Sequence, residues 1–422
     1  MRYFSQWCRA SMTSPNEILA AREQRLQQTV QLAKEHNVVC VKANIPGKDK
    51  RTPSSYALVR YFARQCDYGQ WYKRFNDGAD GCYITLLADG DAHKLKQCVA
   101  QTEENHPLGR FVDIDVWQRG ESKSLSRGYM RRCFLCDKPA FVCGRQGGHP
   151  TEELLEFIDC KTEEFFRRTV KDACIKALEA ELNLHPKFGL VTPLTCGSHP
   201  DMNYSMMKAA HGCVADGVAQ MFVDGLYGRG NVYRTGIPVG VKTEKNMLEV
   251  TGGRNAYKGF IFVAGLLAAA FGRSLMTTRG TSAMWDIVRR DTADIEMGKT
   301  DSFGDRAYRR YGIGGVKEHA RNGFPFVKHV AENVTDDSRS MLKQLVYCAG
   351  NMDDTVMLKR AGDMRSFRLL QQKFGTLDTT DGKAVDALDK ECIDKGISLG
   401  GSADVLASGI FVKILMQQFA SV

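Results

Sequence analysis

Long hydrophobic runs are missing from this sequence of 422 residues. The longest, GFIFVAGLLAAAFG at 259–272, is too short to cross a bilayer, which takes about 20 apolar residues, and it suits a buried core helix. Residues 1–12 contain no apolar core typical of a secretory signal, and the chain shows no internal repeat or low-complexity linker. We therefore expect no membrane partner and a cytoplasmic location.

Runs of basic residues are also missing, although the formal net charge is +9. The lysines and arginines are scattered, with no run of five or six, so no nucleic-acid partner is expected. Such a charge favours nucleotides, coenzymes or an acidic protein as partners. The 14 cysteines are expected to be thiols or metal ligands in a reducing cytoplasm, not disulfides.

The chain changes character near residue 160, which predicts two domains, at 1–160 and 161–422. The first domain is expected to be mixed α/β (α+β), with helices opening at Ser14-Pro15 and after Pro53, and strands at 38–47, 82–88 and 110–117. The second is expected to be all-α. Its apolar residues recur three and four apart in 163–183, 204–225, 258–272, 281–290, 338–349 and 404–420.

Short glycine-rich connectors separate the helical segments of the second domain: CGSHPD, VTGGRNAYKG, YGIGGVKE and ISLGGSAD. Glycine lets backbone N–H groups approach a phosphate closely, so these connectors are candidates for a nucleotide site. Glycine also ends helices, and for any one connector taken alone this is the favoured explanation.

Two aspartates interrupt an apolar stretch in GRFVDIDV, residues 109–116. Side chains alternate along a strand, so Asp113 and Asp115 share one face and the apolar residues share the other. Like charges on one face require a positive partner. An Asp-x-Asp pair at a strand end can hold Mg²⁺ over a pyrophosphate leaving group, with Gly109 and Arg110 close to the phosphates. A solvent-facing edge strand is the alternative.

Soft metal ligands are concentrated in RRCFLCDKPAFVCGRQGGH, residues 131–149. Cys133, Cys136, Cys143 and His149 could form a tetrahedral Zn²⁺ site. The spacing from Cys143 to His149 fits no standard zinc finger, and cytoplasmic thiols also occur without metal. Both interpretations stay open.

The motifs of the first domain together resemble holo-citrate lyase synthase, an apo-citrate lyase phosphoribosyl-dephospho-CoA transferase. The resemblance covers roughly residues 15 to 160 and rests on ILAAREQRLQ (18–27), ANIPGKDK (43–50), HPLGRFVDIDV (106–116) and RRCFLCDKPAFVCGRQGGH (131–149). It implies a nucleotidyltransferase-like fold. It also implies transfer of a phosphoribosyl-dephospho-CoA group to a serine of the citrate lyase acyl carrier (gamma) subunit, with release of pyrophosphate.

On this resemblance, Asp113 and Asp115 hold Mg²⁺ over the triphosphate of the donor, and the serine hydroxyl attacks the α-phosphorus in line. Arg110, with Lys48 or Lys50 in the loop after the first strand, complements the phosphate charge. A basic surface suits both an anionic donor and an acidic carrier protein.

The second domain resembles triphosphoribosyl-dephospho-CoA synthase, which makes the donor that the first domain would consume. The resemblance spans roughly residues 165 to 420 and rests on FGLVTP (188–193), GSHPDMNY (197–204), EKNMLEVTGGRNAYKGFIF (244–262), GIGGVKEHARNGFP (312–325), DDTVMLKRAG (353–362) and ISLGGSADVLA (397–407). It implies that the 2′-hydroxyl of 3′-dephospho-CoA displaces adenine from the ribose of ATP, with inversion, and leaves the triphosphate intact.

Matching positions supply the candidate residues for this reaction. Carboxylates suited to stabilise positive charge, move a proton or bind metal are Asp201, Glu244, Glu249, Glu318, Asp354 and Asp404, of which Asp201, Glu318, Asp354 and Asp404 are assigned as catalytic. Residues suited to bind substrate and phosphate are His199, Gly252, Gly253, Asn255, Lys258, Arg360, Gly400, Gly401 and Ser402. The sequence does not separate general base from metal ligand, and a helix cap or surface carboxylate is the alternative for each acid.

Several positions depart from the pattern expected of this family. Different residue types stand at Arg254, Ala256 and Tyr257 (for Val, Thr and His), Val316 (for Arg), Val356 (for Asn) and Leu399 (for Pro). Arg254 could replace the missing guanidinium, and Tyr257 could replace a histidine hydrogen bond. The main hypothesis is a bifunctional enzyme; the alternative is a monofunctional transferase whose helical part is a degenerate binding or assembly module. A zinc-containing nucleic-acid binder is the least favoured class.

Overall fold

The computed structural model describes residues 14–66, 72–128 and 130–420. These divide into two compact units, and the helix Thr151–Asn183 begins in the first and ends in the second. The first unit contains the described part of 1–166 together with the segments 274–282 and 416–420; the second contains 167–273 and 283–415. The segment 1–12, for which no signal was expected, lies outside the described residues.

The first unit combines a four-stranded antiparallel sheet with helices, which confirms the predicted mixed α/β class. Its elements up to the shared helix are α1 (Pro15–Ala33), β1 (Asn37–Ala43), α2 (Pro53–Gln65), β2 (Tyr72–Gly78), β3 (Gly81–Ala88), α3 (Ala92–Asn105), β4 (Val112–Trp117) and α4 (Ala140–Arg145). The strand order is β2-β3-β1-β4. The sequence pattern did not predict β2 or α3.

Strand β4 lies at one edge of this sheet and shows the predicted alternation. Its apolar side chains are buried, while Asp113 and Asp115 are only partly buried. In the antiparallel register with β1, Lys42 is the partner of Asp113 and Cys40 is the partner of Asp115. The sheet therefore brings a lysine directly opposite the first aspartate.

The outer edge of β4 is covered by side chains of α3. Glu103 accepts a hydrogen bond from the Ile114 N–H at 2.9 Å, and Lys96 donates to the Ile114 carbonyl at 2.9 Å. Because an open strand edge can recruit another strand, these two side chains protect the edge from such pairing.

Segments from late in the chain complete the first unit. Arg60 of α2 is 0% exposed, and its guanidinium donates to the carbonyls of Leu275 at 2.7 Å and Thr277 at 2.6 Å. It also lies over the ring of Phe75 at 4.2 Å, and the Ala420 N–H donates to the Arg60 carbonyl at 2.9 Å. A buried guanidinium requires such partners because an unpaired buried charge is costly.

The second unit is helical, as predicted. After the shared helix α5 (Thr151–Asn183) come α6 (Tyr204–Tyr227), α7 (Val232–Val250), α8 (Lys258–Ser274), α9 (Met284–Asp291), α10 (Phe303–Tyr311), α11 (Gly315–Arg321), α12 (Pro325–Asn333), α13 (Ser338–Asn351), α14 (Thr355–Ala361), α15 (Met364–Thr376), α16 (Gly382–Asp394) and α17 (Gly400–Gln418). Within the described residues, no helix combines the length and apolar character that crossing a membrane requires.

Candidate active sites

A cluster of opposite charges surrounds the aspartate pair of β4. The carboxylate of Asp113 lies 3.1 Å from Lys42 Nζ, 2.7 Å from Arg127 Nη2 and 3.4 Å from Arg131 Nη2. The two arginines also approach Glu103, which is 3.5 Å from Arg127 Nη2 and forms a hydrogen bond with Arg131. The positive partner that the sequence pattern required is therefore supplied in part by the protein itself.

The two aspartates of this cluster have opposite pKa shifts. Burial raises the pKa of Asp113, but the nearby charges of Lys42 and Arg131 and the hydrogen bond from Arg127 outweigh burial and hold it well below its usual range. Burial, together with the negative charge of Asp113, raises the pKa of Asp115. Asp115 makes no ion pair with any described residue, so it is the carboxyl group available to a cation.

Other residues predicted to act with the aspartates have different surroundings. Gly109 packs against α3, because a Cβ there would lie 2.4 Å from the Glu103 carbonyl oxygen. Arg110 donates to the Cys133 carbonyl at 3.0 Å. Lys48 is exposed, and Lys50 donates to a loop carbonyl while burial lowers its pKa to about 8.

The four soft ligands predicted as a zinc site converge in the first unit. The ligand atoms of Cys133, Cys136, Cys143 and His149 all lie within 4.8 Å of one another. A polar cavity of about 920 Å³ opens elsewhere, at the Asn37 end of β1, and includes no predicted site residue among the described residues that line it.

A cleft of about 750 Å³ lies in the second unit, and all four glycine-rich connectors contribute to its lining. The contributions are His199 and Asp201 from the first connector, 255–259 from the second, 314–317 from the third and Gly400 from the fourth. These segments are far apart in the sequence. Their convergence makes this cleft the candidate nucleotide site of the helical unit.

Asp404 lines this cleft from the first turns of α17. It accepts a hydrogen bond from the Phe260 N–H, and a Cβ on Gly259 would lie 1.9 Å from its Oδ2. Burial, followed by the negative charges of Asp354 and Glu181, raises the pKa of Asp404 well above its usual value. Asp404 is thus a carboxyl group that retains its proton to unusually high pH.

Asp354 is almost fully buried and its acceptor capacity is used within the protein. Its Oδ1 accepts from the N–H groups of Val356 at 2.8 Å and Met357 at 3.0 Å, which caps α14. Its Oδ2 accepts from the N–H and hydroxyl of Ser402 at 2.8 and 2.9 Å. A Cβ on Gly401 would lie 2.7 Å from Oδ1, so glycine is required there. These bonds tie α14 to the start of α17.

His199 is held in one tautomer. The Arg360 guanidinium lies 3.2 Å from Nδ1, and Ser398 Oγ lies 2.9 Å from Nε2. Because arginine can only donate, Nδ1 is the acceptor and Nε2 carries the proton. Burial, followed by the charge of Arg360, lowers the pKa of His199, consistent with a neutral ring.

Most lysines of the cleft are paired with an acid. Lys187 Nζ lies 2.9 Å from the Glu181 carboxylate, Lys317 Nζ lies 2.9 Å from Asp305, and Lys258 Nζ lies 2.6 Å from Glu244. Lys359, which also lines the cleft, has no acidic partner among the described residues. The unpaired positive charge therefore concentrates at Lys359 and its neighbour Arg360.

Two of the positions that depart from the family pattern have partners in the structure. The hydroxyl of Tyr257 lies 2.9 Å from Nε2 of His211. The Nε of Arg254 lies 3.5 Å from the carboxylate of Asp201 at the exposed rim of the cleft.

Several predicted residues lie outside the lining of the cleft. Glu318 accepts a hydrogen bond from the Gly314 N–H at 3.1 Å within the third connector. Gly252 and Gly253 have positive φ angles of 60° and 85° just after α7, which is the helix-ending role left open by the sequence. Glu249 is exposed.

An apolar groove lies beside the cleft, between α7 and α8, with a volume of about 200 Å³. It shares Lys258 and Phe262 with the cleft, and the exposed side chains of Ile237 and Val241 line it. Gly240 keeps it open above Met221, whose Cε would lie 3.4 Å from a Cβ at that position.

Sequence reasoning missed some members of both sites. In the first unit it missed Lys42, Arg127 and Arg131, of which only Arg131 belongs to a motif that had been singled out. In the cleft it missed Lys187 and Lys359. Lys187 directly precedes the motif FGLVTP (188–193), and Lys359 directly precedes Arg360, which was assigned to phosphate.

The chain matches two family models, one for each part. Residues 13–165 match the apo-citrate lyase phosphoribosyl-dephospho-CoA transferase family, CitX, and residues 167–421 match the ATP:dephospho-CoA triphosphoribosyl transferase family, CitG. The chain belongs to the CitG family through its larger part and is a CitX–CitG fusion.

Curated relatives show the same arrangement. Protein CitXG of Leuconostoc mesenteroides subsp. cremoris is 28% identical over 437 residues, covering 90% of this chain and 91% of the relative. Protein CitXG of Haemophilus influenzae is 29% identical, covering 95% and 96%. The 2-(5''-triphosphoribosyl)-3'-dephosphocoenzyme-A synthase of Klebsiella pneumoniae is 32% identical, covering 56% of this chain and 88% of the relative.

These matches confirm the predicted pairing of activities. The chain is a bifunctional transferase of citrate lyase prosthetic-group synthesis: it makes the triphosphoribosyl-dephospho-CoA group from ATP and dephospho-CoA and transfers it to apo-citrate lyase.

Proposed function

We propose that the cleft of the helical unit makes the triphosphate donor and that the charged cluster on β4 attaches it to the carrier. The observation that carries the first assignment is the convergence of four distant glycine-rich connectors on one cleft with unpaired positive charge. The second assignment is supported by two carboxyl groups with opposite pKa shifts among three cations.

In the first reaction, the 2′-hydroxyl oxygen of 3′-dephospho-CoA forms a bond to the ribose carbon of ATP while the bond from that carbon to adenine breaks. Adenine leaves more readily if it is protonated as it departs. Asp404 suits this donor role because burial and neighbouring charges keep its proton in place. Asp201, at the exposed rim, is the carboxylate available to accept the hydroxyl proton or to bind a metal.

We assign the triphosphate to the end of the cleft formed by Lys359 and Arg360. Lys359 has no acidic partner among the described residues, and Arg360 presents a planar guanidinium suited to phosphate oxygens. Mg²⁺ bound between phosphate and carboxylate oxygens would neutralise part of the charge. Lys258, proposed for phosphate from its sequence position, is already paired with Glu244 and lies where the cleft meets the groove.

Asp354, Ser402 and Glu318 act as positioning residues in this proposal. Two hydrogen bonds of Asp354 cap α14, the helix that carries Lys359 and Arg360. The other two hold Ser402 at the start of α17, the helix that carries Asp404. Glu318 similarly fixes the backbone at Gly314.

The apolar groove between α7 and α8 suits the pantetheine arm of dephospho-CoA. The arm is uncharged, with methyl and methylene groups between its two amides and its hydroxyl, and the groove joins the phosphate-binding cleft at Lys258 and Phe262. This arrangement would place the nucleotide end of dephospho-CoA in the cleft and its thiol end along the groove.

In the second reaction, the serine oxygen of the carrier forms a bond to the α-phosphorus of the donor, the bond to pyrophosphate breaks, and the hydroxyl proton passes to solvent. This is nucleotidyltransferase-type chemistry. Asp113 and Asp115 fit Mg²⁺, since they offer carboxylate oxygens from one strand face and Asp115 has no ion-pair partner among described residues. When bound, Mg²⁺ would neutralise the pyrophosphate leaving group and favour the ionised form of Asp115.

Lys42, Arg127 and Arg131 would bind the donor phosphates in this second site. They already surround the carboxylate of Asp113, and the donor triphosphate would be a second anionic partner for them. The acceptor is the acyl carrier (gamma) subunit of citrate lyase, and a net charge of +9 favours association with an acidic carrier. We place the enzyme in the cytoplasm, which suits its thirteen free cysteines among the described residues.

Intact mass spectrometry of the carrier tests both steps together. The protein is incubated with ATP, 3′-dephospho-CoA, Mg²⁺ and apo carrier, and adenine release is followed in parallel. We expect adenine, pyrophosphate and a carrier heavier by one phosphoribosyl-dephospho-CoA group. Carrier loading only from a preformed triphosphate donor, with no adenine released from ATP under any divalent metal, would favour the monofunctional alternative.

A further inference from the structure

Three cysteine side chains and one histidine side chain of the segment 133–149 lie close enough together to share one metal ion. Their four ligand atoms lie within 4.8 Å of one another, and the sulfurs of Cys136 and Cys143 are 3.8 Å apart. Zinc–sulfur bonds of about 2.3 Å at tetrahedral angles place two sulfurs about 3.8 Å apart. The observed separation is the one that a shared zinc ion would impose.

The backbone around these side chains is shaped to bring sulfur close. The N–H groups of Leu135 and Cys136 hydrogen-bond the sulfur of Cys133. Any larger residue at position 148 would force the backbone or the Cys143 side chain to shift, because a Cβ on Gly148 would lie 2.7 Å from the sulfur of Cys143. Hydrogen bonds from backbone N–H groups stabilise a thiolate, which is the form in which cysteine binds zinc.

The histidine of the cluster has an outer partner. Nδ1 of His149 lies 3.5 Å from the carboxylate of Glu153, one turn later in α5. A carboxylate at one imidazole nitrogen orients the ring and leaves the other nitrogen, Nε2, for a metal.

The surrounding chain has little regular secondary structure, and scattered hydrogen bonds such as that from the Leu125 N–H to the Val116 carbonyl connect it to the sheet. Between Trp117 and Ala140, the described residues form no helix and no strand of the sheet. This segment nevertheless carries Arg127 and Arg131, which surround Asp113, and the Cys133 carbonyl accepts from Arg110.

We propose that Cys133, Cys136, Cys143 and His149 bind one structural zinc ion that holds the segment 118–149 and thereby positions Arg127 and Arg131 at the β4 site. Three thiolates and an imidazole favour zinc over Mg²⁺, and four protein ligands leave no open position for catalysis. The binding site stands on geometry alone. Its positioning role rests on the proposed function of the β4 cluster.

Metal analysis of the full-length protein, purified under reducing conditions with zinc in the growth medium, tests the site without an activity assay. We expect about one zinc per chain, and near-complete loss in Cys136→Ser and Cys143→Ser. Cys98→Ser, an exposed cysteine elsewhere in the first unit, is the matched control and should retain zinc. After exchange with Co²⁺, the intense visible absorption of a tetrahedral thiolate site should appear in the control and be absent from both cluster variants.

A conservative outer-shell variant tests the coordination more gently. Glu153→Gln should weaken zinc affinity by about 10–100-fold while keeping one zinc at saturation. Zinc-depleted protein should release adenine normally but require more donor for carrier loading, because only the β4 site depends on the segment. Protein without zinc, zinc retained in Cys136→Ser, or a disulfide between Cys136 and Cys143 in place of metal would each overturn the proposal. None of these results would refute carrier loading at the β4 cluster, which the Asp113→Asn and Asp115→Asn variants test separately.

Discussion

Replacing Asp404 by asparagine removes the proposed proton donor with little other change to the cleft. The amide has nearly the same volume, and its oxygen can still accept the hydrogen bond from the Phe260 N–H. Loss of a general acid lowers rates by about 10²–10⁴-fold, equivalent to about 3–5 kcal/mol in the transition state. We therefore expect adenine release by Asp404→Asn to fall by that factor, with carrier loading from a preformed donor unchanged.

The pH dependence of adenine release provides the second measurement. Since burial raises the pKa of Asp404, the protonated donor is present below that raised pKa and lost above it. In the unmodified protein, adenine release should decline as the pH rises through this range, and the decline should be absent in Asp404→Asn.

A longer acid is the control for geometry. Gly259 leaves no space beyond Oδ2 of Asp404, so Asp404→Glu keeps the acid but displaces it and should also lose activity. Adenine release by Asp404→Asn within threefold of the unmodified protein, with the same pH profile, would refute the assignment of the proton donor.

Three further predictions concern other parts of the molecule. Asp113→Asn and Asp115→Asn should abolish carrier loading, measured by intact mass, and leave adenine release intact; joint loss of both steps in folded protein would contradict two separate sites. Burial raises the pKa of Asp159 to about 6, so ionisation of this carboxyl destabilises the folded protein as the pH rises to that value. Above it, Asp159→Asn should be more stable in urea than the unmodified protein by about 3 kcal/mol. A stability difference that does not grow between about pH 4 and pH 7 would contradict this. Gly240→Leu should fill the apolar groove and raise KM for dephospho-CoA at least tenfold more than KM for ATP; equal changes would argue against a pantetheine site.

The local features of β4 were predictable because they follow from alternation. The pattern of GRFVDIDV correctly separated the two aspartates from their buried neighbours. It could not supply Lys42, whose position opposite Asp113 depends on strand register, nor Arg127, which belongs to a segment without repeating structure. The pattern thus predicted that Asp113 and Asp115 need a positive partner and named Mg²⁺, but it did not predict the lysine and arginines that surround Asp113.

The helical cleft shows the same limit. Each glycine-rich connector could be recognised in the sequence. That all four line one cleft could not be predicted, because it depends on the packing of helices far apart in the chain. Pairings between side chains were equally inaccessible: Lys258 was predicted for phosphate, yet its ammonium group lies 2.6 Å from Glu244. Asp354 matched the family pattern, but only the structure shows that four protein hydrogen bonds occupy its oxygens.

The buried guanidinium of Arg60 has a consequence for how the protein is made. Its acceptors, the carbonyls of Leu275 and Thr277, are translated more than 200 residues after it, and the Ala420 N–H donates to the Arg60 carbonyl. Early domains generally fold while the ribosome is still working. Here the first unit is complete only once the segments 274–282 and 416–420 have also been made. A fragment that ends before residue 274 would leave the Arg60 guanidinium without these two acceptors, so the transferase part of the chain depends on residues that follow much of the synthase part.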